Sequence, residues 1–356
     1  MDQVRSMMNQ LLVLMMTKEA SDLHISCDSP PQLRIDGKLV PIKSDVLTPM
    51  QTKALCMSLL TESQRKEFEA EKALDFSFSL EDAGRFRGNI FMQRGTVAGA
   101  FRYIPTRIRT FEELSLPPTL QQFAELPKGL VLITGQTGAG KSTTLATLIN
   151  HINHTYQKHI ITVEDPIEFV HKNRQSLVNQ REVGSDTESY HTAIRYILRQ
   201  DPDVVLLGEL RDKESIETAL TLAETGHLVL STLHTNSCPQ TINRIVDVFP
   251  GNQQDQIRTQ LAFVLQAIVC QQLLPKASGK GRAIALEIMI AIPAVRALIR
   301  EDKAHMLYSA IQLNRKLGMQ TMNQSLAELC LNETISIEDA LAYSTDVNEL
   351  KQLIGI

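Results

Sequence analysis

The run Gly135-Gln136-Thr137-Gly138-Ala139-Gly140-Lys141-Ser142 fits G-x-x-x-x-G-K-[ST]. Glycines at these positions let backbone N–H groups close on phosphate oxygens, and a helix N-terminus adds positive potential. In that pattern Lys141 reaches the β- and γ-phosphates and Ser142 ligates Mg²⁺, with Thr143 completing the cradle. The expected ligands are ATP and Mg²⁺.

A phosphate loop alone specifies a nucleotide and says nothing of its hydrolysis, which also needs an acid on the metal side and a group to activate water. Asp203-Val204-Val205-Leu206-Leu207-Gly208-Glu209 is an apolar strand ending in an acid, so Glu209 is the candidate to hold Mg²⁺, through a water. Ile161-Thr162-Val163-Glu164-Asp165-Pro166 is a second strand ending in carboxylates. Glu164 is the candidate to orient or deprotonate the attacking water. Asp165 has a competing reading as a helix cap. A third strand, 226–236, carries a histidine near each end, and neither has the i,i+4 partner of a helical metal site. His234 follows the strand and is a candidate γ-phosphate sensor; His227 is expected to stabilise its loop or a partner across a subunit boundary.

These groups need a scaffold that brings strand ends together. From residue 130 onward, apolar segments at 130–133, 160–163, 204–207, 228–231 and 284–290 are separated mostly by helical stretches. That predicts a mostly parallel sheet with helices on both faces, whose ligands bind at the carboxyl ends of the strands. After 293 the chain reads as helices, at 294–299, 304–313, 323–329 and 337–343. The first third is α+β. Val4, Met7, Met8, Leu11, Leu12 and Met15 mark an amphipathic helix. Asp22 to Ile25 alternates as a strand, Asp36-Gly37 signals a hairpin, 49–71 reads as helical and 74–80 as a strand. The expected division is an N-terminal domain at 1–105, a linker at 106–120, an ATPase core at 121–292 and a helical C-terminal region at 293–356.

The segment 85–109 holds six arginines, at 85, 87, 94, 102, 107 and 109, with no lysine and no acid. Arg94-Gly95 is expected to turn between two strands. Phe86, Ile90 and Met92 alternate with Arg85, Arg87 and Asn89 on the first, and Val97, Phe101 and Tyr103 with Arg102 on the second, which lines one face with guanidinium groups.

Composition narrows the classes. The chain has 356 residues, 43% of them hydrophobic and 21% charged, which excludes a mainly disordered or collagen-like chain. Lys and Arg total 36 against 40 Asp and Glu, and Trp is absent, so no basic, base-stacking surface for nucleic acid is expected. The five cysteines, at 27, 56, 238, 270 and 330, are too far apart in sequence for a local zinc knuckle or redox pair. The N-terminus lacks the basic region and cleavage site of a signal peptide, and the apolar run at 11–16 is far too short to span a bilayer, so a cytoplasmic protein is expected.

Taken together, GQTGAGKST at 135–143, ITVEDPIEF at 161–169, LVNQREVG at 177–184, LRQDPDVVLLGELRD at 198–212 and TGHLVLSTLHTN at 225–236 resemble the type II/IV secretion ATPases, and within them the PilT-type pilus retraction motors. The segments are similar to the family's Walker A, Asp box, Gln-Arg segment, Walker B and His box. Ala294-Val295-Arg296-Ala297-Leu298-Ile299-Arg300-Glu301 resembles the AIRNLIRE motif of retraction motors, with Val295 for Ile and Ala297 where Asn is usual. The cysteines cannot form the four-cysteine zinc insertion of the extension and type II secretion branches.

The resemblance implies a PAS-like N-terminal domain, a RecA-like ATPase domain and a homohexameric ring at the cytoplasmic face of the inner membrane. The implied partners are a pilus platform protein and an accessory retraction ATPase. An arginine placed across a subunit boundary can stabilise charge on the transferred phosphate, so the arginine-rich strand pair makes Arg102 and Arg87, with Arg94 in reserve, the candidates to serve the nucleotide from the N-terminal domain. Hydrolysis by in-line attack of water would drive pilus retraction and twitching motility. An accessory motor of the PilU kind, or a relative serving gliding, secretion or DNA uptake, shares this chemistry. A nucleic-acid translocase would need a basic channel, and a scaffold that binds ATP without turnover would not need two strand-end glutamates.

Overall fold

The computed structural model describes residues 2–35, 37–80, 84–104 and 107–356. Asp36 of the expected Asp36-Gly37 turn, and Pro105 and Thr106 at the start of the expected linker, lie outside the described residues. The chain divides into two compact units, one of residues 1–107 with 168–170 and one of 108–167 with 171–356.

The first unit contains α1 (Asp2–Thr17), β1 (Asp22–Ile25), β2 (Gln32–Ile35), β3 (Lys38–Pro41), α2 (Pro49–Met57), α3 (Glu62–Glu71), β4 (Ala73–Leu80), β5 (Gly84–Gln93) and β6 (Thr96–Ile104). Its six strands form one antiparallel sheet in the order β3-β2-β1-β6-β5-β4. Met8, Leu11, Leu12 and Met15 of α1 are buried with Leu23, Phe86, Ile90 and Phe101, whereas Met7 is exposed. The helical stretch expected over 49–71 is two helices. Thr48 with Gln51, and Thr61 with Gln64, form two capping boxes, each starting a new helix. Arg94 and Gly95, both at positive φ, make the turn between β5 and β6. Phe86 and Ile90 face the core and Arg87 faces out, but Met92, near the end of the strand, is exposed.

The second unit contains α4 (Pro118–Phe123), β7 (Gly129–Thr134), α5 (Lys141–Thr155), β8 (His159–Glu164), β9 (Leu177–Glu182), α6 (Tyr190–Ile197), β10 (Val204–Leu207), α7 (Lys213–Glu224), β11 (Leu228–Leu233), α8 (Cys238–Asp247), α9 (Gly251–Val264), β12 (Leu265–Pro275) and β13 (Arg282–Ile290). It ends in α10 (Pro293–Arg300), α11 (Leu307–Leu313), α12 (Met322–Leu331), α13 (Ile337–Tyr343) and α14 (Val347–Ile354). The sheet order is β13-β12-β7-β11-β10-β8-β9, parallel throughout except for β13. This is the RecA-like arrangement expected. β7, β10 and β11 are buried along their whole length, because helices cover both faces. One core lies on each side of the sheet, and the C-terminal helices α12 to α14 pack a smaller core with β12 and β13.

Two strands have no counterpart among the sequence expectations. β9 is a half-polar edge strand, and glutamines 266, 271 and 272 interrupt the apolar pattern of β12. The helix expected over 304–313 begins with a short 3₁₀ turn at 304–306 before α11. Among the described residues no helix is long and apolar enough to cross a membrane.

Candidate nucleotide site

The loop from β7 to α5 turns on glycines. Gly135 has φ +142°, and a Cβ there would sit 2.4 Å from the Gln271 carbonyl oxygen. Gly140, at φ +88°, is the residue from which α5 starts. Side chains are strained at such φ values, so the backbone can curl its N–H groups to one side only where glycine stands. Gln136, Thr137 and Gly138 are exposed at the tip of the loop, while Ala139 is buried. Lys141, only 8% exposed, folds back over the loop. Its Nζ donates to the carbonyls of Gly135 (2.8 Å) and Gln136 (3.1 Å). Ser142 and Thr143 follow in the first turn of α5.

Three of the expected residues form one polar chain. Lys141 Nζ lies 3.5 Å from His234 Nδ1, and His234 Nε2 lies 3.3 Å from Glu209 Oε1. An ammonium only donates, so Nδ1 is the accepting nitrogen and Nε2 carries its proton toward Glu209. The other carboxylate oxygen of Glu209 pairs with Arg211 Nε at 3.0 Å. The β-sheet produces this meeting. β11 lies between β7 and β10, so the residues that follow these three strands emerge side by side. Thr232 Oγ1 donates to the Gly208 carbonyl (2.7 Å), and the Leu210 N–H donates to the Thr232 carbonyl (3.0 Å), which fixes the Glu209 turn against the end of β11.

Glu164 ends β8, beside β10. The Gly208 N–H donates to the Val163 carbonyl at 2.9 Å, and a Cβ on Gly208 would lie 3.4 Å from Glu164 Cα. Thr162 Oγ1 (2.6 Å) and Gln180 Nε2 (3.3 Å) donate to the Glu164 Oε1 oxygen. Gln180 also accepts the His171 N–H (2.7 Å), and buried Glu182 accepts the Ile167 N–H (2.9 Å). The edge strand β9 thus sets the carboxylate and the loop after it. No helix follows Asp165 before β9, which removes the helix-cap reading of that residue. His227 ties the turn between α7 and β11, with Nδ1 3.0 Å from the Leu222 carbonyl and 3.1 Å from Thr225 Oγ1.

Two of the candidate first-unit arginines, Arg102 and Arg87, have local partners. Arg102 Nε donates to Asp22 Oδ1 at 2.8 Å, although its side chain is 67% exposed. Burial raises the Asp22 carboxyl, but hydrogen bonds from Arg102 and Ser21 outweigh it and hold the group below its usual value. Arg87 lies 3.7 Å from Asp75, both well exposed.

The residue that motif reading missed is Gln271, on β12. It is fully buried. Its Nε2 donates to the Ala139 carbonyl (2.7 Å), and its Oε1 accepts from Thr144 Oγ1 (3.0 Å). A strand assignment for β12 paired to β7 would have found it, since Cys270 sits opposite Thr134, the last residue before the loop.

Ser142 and Glu209 offer a hydroxyl and a carboxylate, hard oxygens of the kind Mg²⁺ accepts while water and phosphate fill the rest of its shell. Ligand-type groups also meet at Cys238, Cys270 and Glu287, whose ligating atoms lie within 4.8 Å of one another. Glu287 is already engaged, accepting the Cys238 N–H at the start of α8 (2.6 Å). Burial pushes the Cys238 thiol well up, so it stays protonated and packs as a small apolar group. In the helix carrying the AIRNLIRE-like residues, α10, Arg296 donates to the Ala262 and Phe263 carbonyls and so caps the end of α9.

Comparison with known proteins follows the same lines. The family described as type II/IV secretion system protein matches residues 2–342. The type IV pilus retraction ATPase PilT of Pseudomonas aeruginosa is 47% identical over 331 residues, 93% of this chain and 96% of that protein. The type IV pilus ATPase PilU of the same organism is 41% identical over 347 residues, 98% of this chain and 91% of that protein. A crystal structure of the pilus retraction motor PilT with bound ADP superposes with a TM-score of 0.90 at 48% identity, covering 95% of this chain and 97% of that one.

Proposed function

The chain belongs to the type II/IV secretion system protein family, and from that premise we propose that it is the ATPase that powers retraction of type IV pili. The observation that carries this reading is the near-full-length likeness to a retraction ATPase, 47% identical over 93% of the chain. The ADP in the similar retraction-motor structure supports a nucleotide as ligand of the 135–143 loop.

In this reading the loop N–H groups and Lys141 bind the phosphates of ATP. Ser142 and, through a water, Glu209 would hold Mg²⁺, which supplies neutralising charge for the phosphates when bound. Glu164 orients the water; its Thr162 and Gln180 donors hold one oxygen and so fix the angle of the carboxylate. His234 reports on the γ-phosphate. When phosphate takes the Lys141 ammonium, Nδ1 loses that donor, and the hydrogen bond from Nε2 to Glu209 is left to reset. Arg102 and Arg87 act from the first unit on the nucleotide of a neighbouring copy in a hexameric ring. An arginine supplied in this way stabilises charge on the transferred phosphoryl group. ATP and ADP must bind differently to the two states of the ring for hydrolysis to move a platform protein in the inner membrane.

The likeness to PilU, over 98% of this chain, supports one second reading, an accessory retraction motor. Complementation separates the two. In a host deleted for its principal retraction ATPase, this chain should clear the accumulated surface pili and restore twitching. Rescue of only an accessory-motor deletion favours the second reading, and rescue of neither defeats both.

A further inference from the structure

We propose that Gln271 is a positioning residue for the phosphate cradle, holding the Ala139–Gly140 peptide so that its N–H faces the nucleotide. The inference rests on the reading of 135–143 as a nucleotide site and assigns a part of that site outside the family motifs quoted above.

One peptide plane links Gln271 to the phosphate side of the loop. A trans peptide points its C=O and N–H in opposite directions. Gln271 Nε2 holds the Ala139 carbonyl toward buried β12 at 2.7 Å. The Gly140 N–H is therefore turned away from β12, toward the side where the loop tip is exposed. Gly140 is also where α5 begins, so this N–H belongs to the set that gives a helix N-terminus its affinity for phosphate. The second half of the carboxamide accepts from Thr144 Oγ1, on the helix that carries Lys141 and Ser142. One side chain thus fixes both the turn and the helix that bracket the phosphates. A Cβ on Gly140 would lie 3.3 Å from Gln271 Nε2, tighter than ordinary contact, so the loop is fitted closely around this amide.

The amide acts on phosphate contacts made equally in the ground and transition states, so its loss should appear as weaker binding more than slower chemistry. Gln271→Met keeps the volume and removes both hydrogen bonds. Its Kd for ADP, by calorimetry, and its KM for ATP with excess Mg²⁺ should each rise roughly tenfold, with kcat within about threefold of wild type. Thr144→Val removes only the second bond and should raise the ADP Kd by about threefold. Melting without nucleotide is recorded for both variants. If Gln271→Met melts lower but binds ADP as tightly as wild type, the residue is merely structural and the proposal is overturned. If Gln271→Met does not fold, Thr144→Val decides, and unchanged ADP affinity there overturns it. If wild type itself binds no ADP, the nucleotide reading fails first, an outcome distinct from the other two.

Discussion

The two sheets of this protein solve different problems. The second-unit sheet is parallel in all but one strand and covered on both faces, and central strands such as Gly129–Thr134 and Leu228–Leu233 are buried from end to end. The expected catalytic groups Lys141, Glu164, Glu209 and His234 stand at or just beyond the strand ends. The first-unit sheet is wholly antiparallel, alternates buried and exposed residues along β5, and carries arginines on its open face. Two-sided burial concentrates chemistry at one rim, whereas one-sided burial spreads charge over a surface that a second molecule can meet.

That contrast can be broken by experiment. The largest effect should come from Arg102→Ala. If the open face serves a nucleotide across a subunit boundary, turnover should fall about 10³-fold with ADP affinity unchanged. Asp22→Asn, which removes the negative charge beside Arg102 but keeps the guanidinium, should cost far less. Equal losses in the two variants would make the pair structural, and unchanged turnover in Arg102→Ala would confine the chemistry to the second unit.

Next comes Leu132→Ala, in the fully buried strand of the second sheet. It should destabilise the protein by about 2–5 kcal/mol in denaturant melts, because a cavity opens between two covered faces. Arg87→Ala, on the open face of the first sheet, should cost under about 0.5 kcal/mol. Comparable values would erase the distinction between the sheets.

A third prediction concerns acid. Burial, with a smaller contribution from His154, lowers His171 from 6.5 to about 4. The unfolded chain therefore binds this proton first, and stability should fall as pH drops from about 6.5 to about 4, then level off. The contribution is at most on the order of 3 kcal/mol. In urea melts at pH 7 and pH 4.5, His171→Gln should lose less stability than wild type. An equal loss would remove His171 as a source of acid sensitivity.

What the sequence made legible follows from the same contrast. The strands at 130–133, 160–163, 204–207 and 228–231 stand out because a strand buried on both faces has no polar alternation to blur it. β12 escaped because Gln271 and Gln272 break its apolar run, yet Gln271 is buried for its bonds to the phosphate loop. β9 escaped because an edge strand can afford Asn179, Gln180 and Arg181. The break in 49–71 was written in the repeated Thr-x-x-Gln pattern, which acts locally and leaves the apolar periodicity intact. The motif residues were legible as types. The chain from Lys141 through His234 to Glu209 needs a strand order that no local pattern reveals.

If residues 135–143 cradle the phosphates of ATP and Lys141 neutralises charge as the bond breaks, Mg²⁺-dependent ATP turnover of the purified, assembled protein should be lost in its Lys141→Ala variant. Phosphate release should be measurable from wild type and absent above background from the variant, with both folded. Turnover retained by the variant would contradict that role.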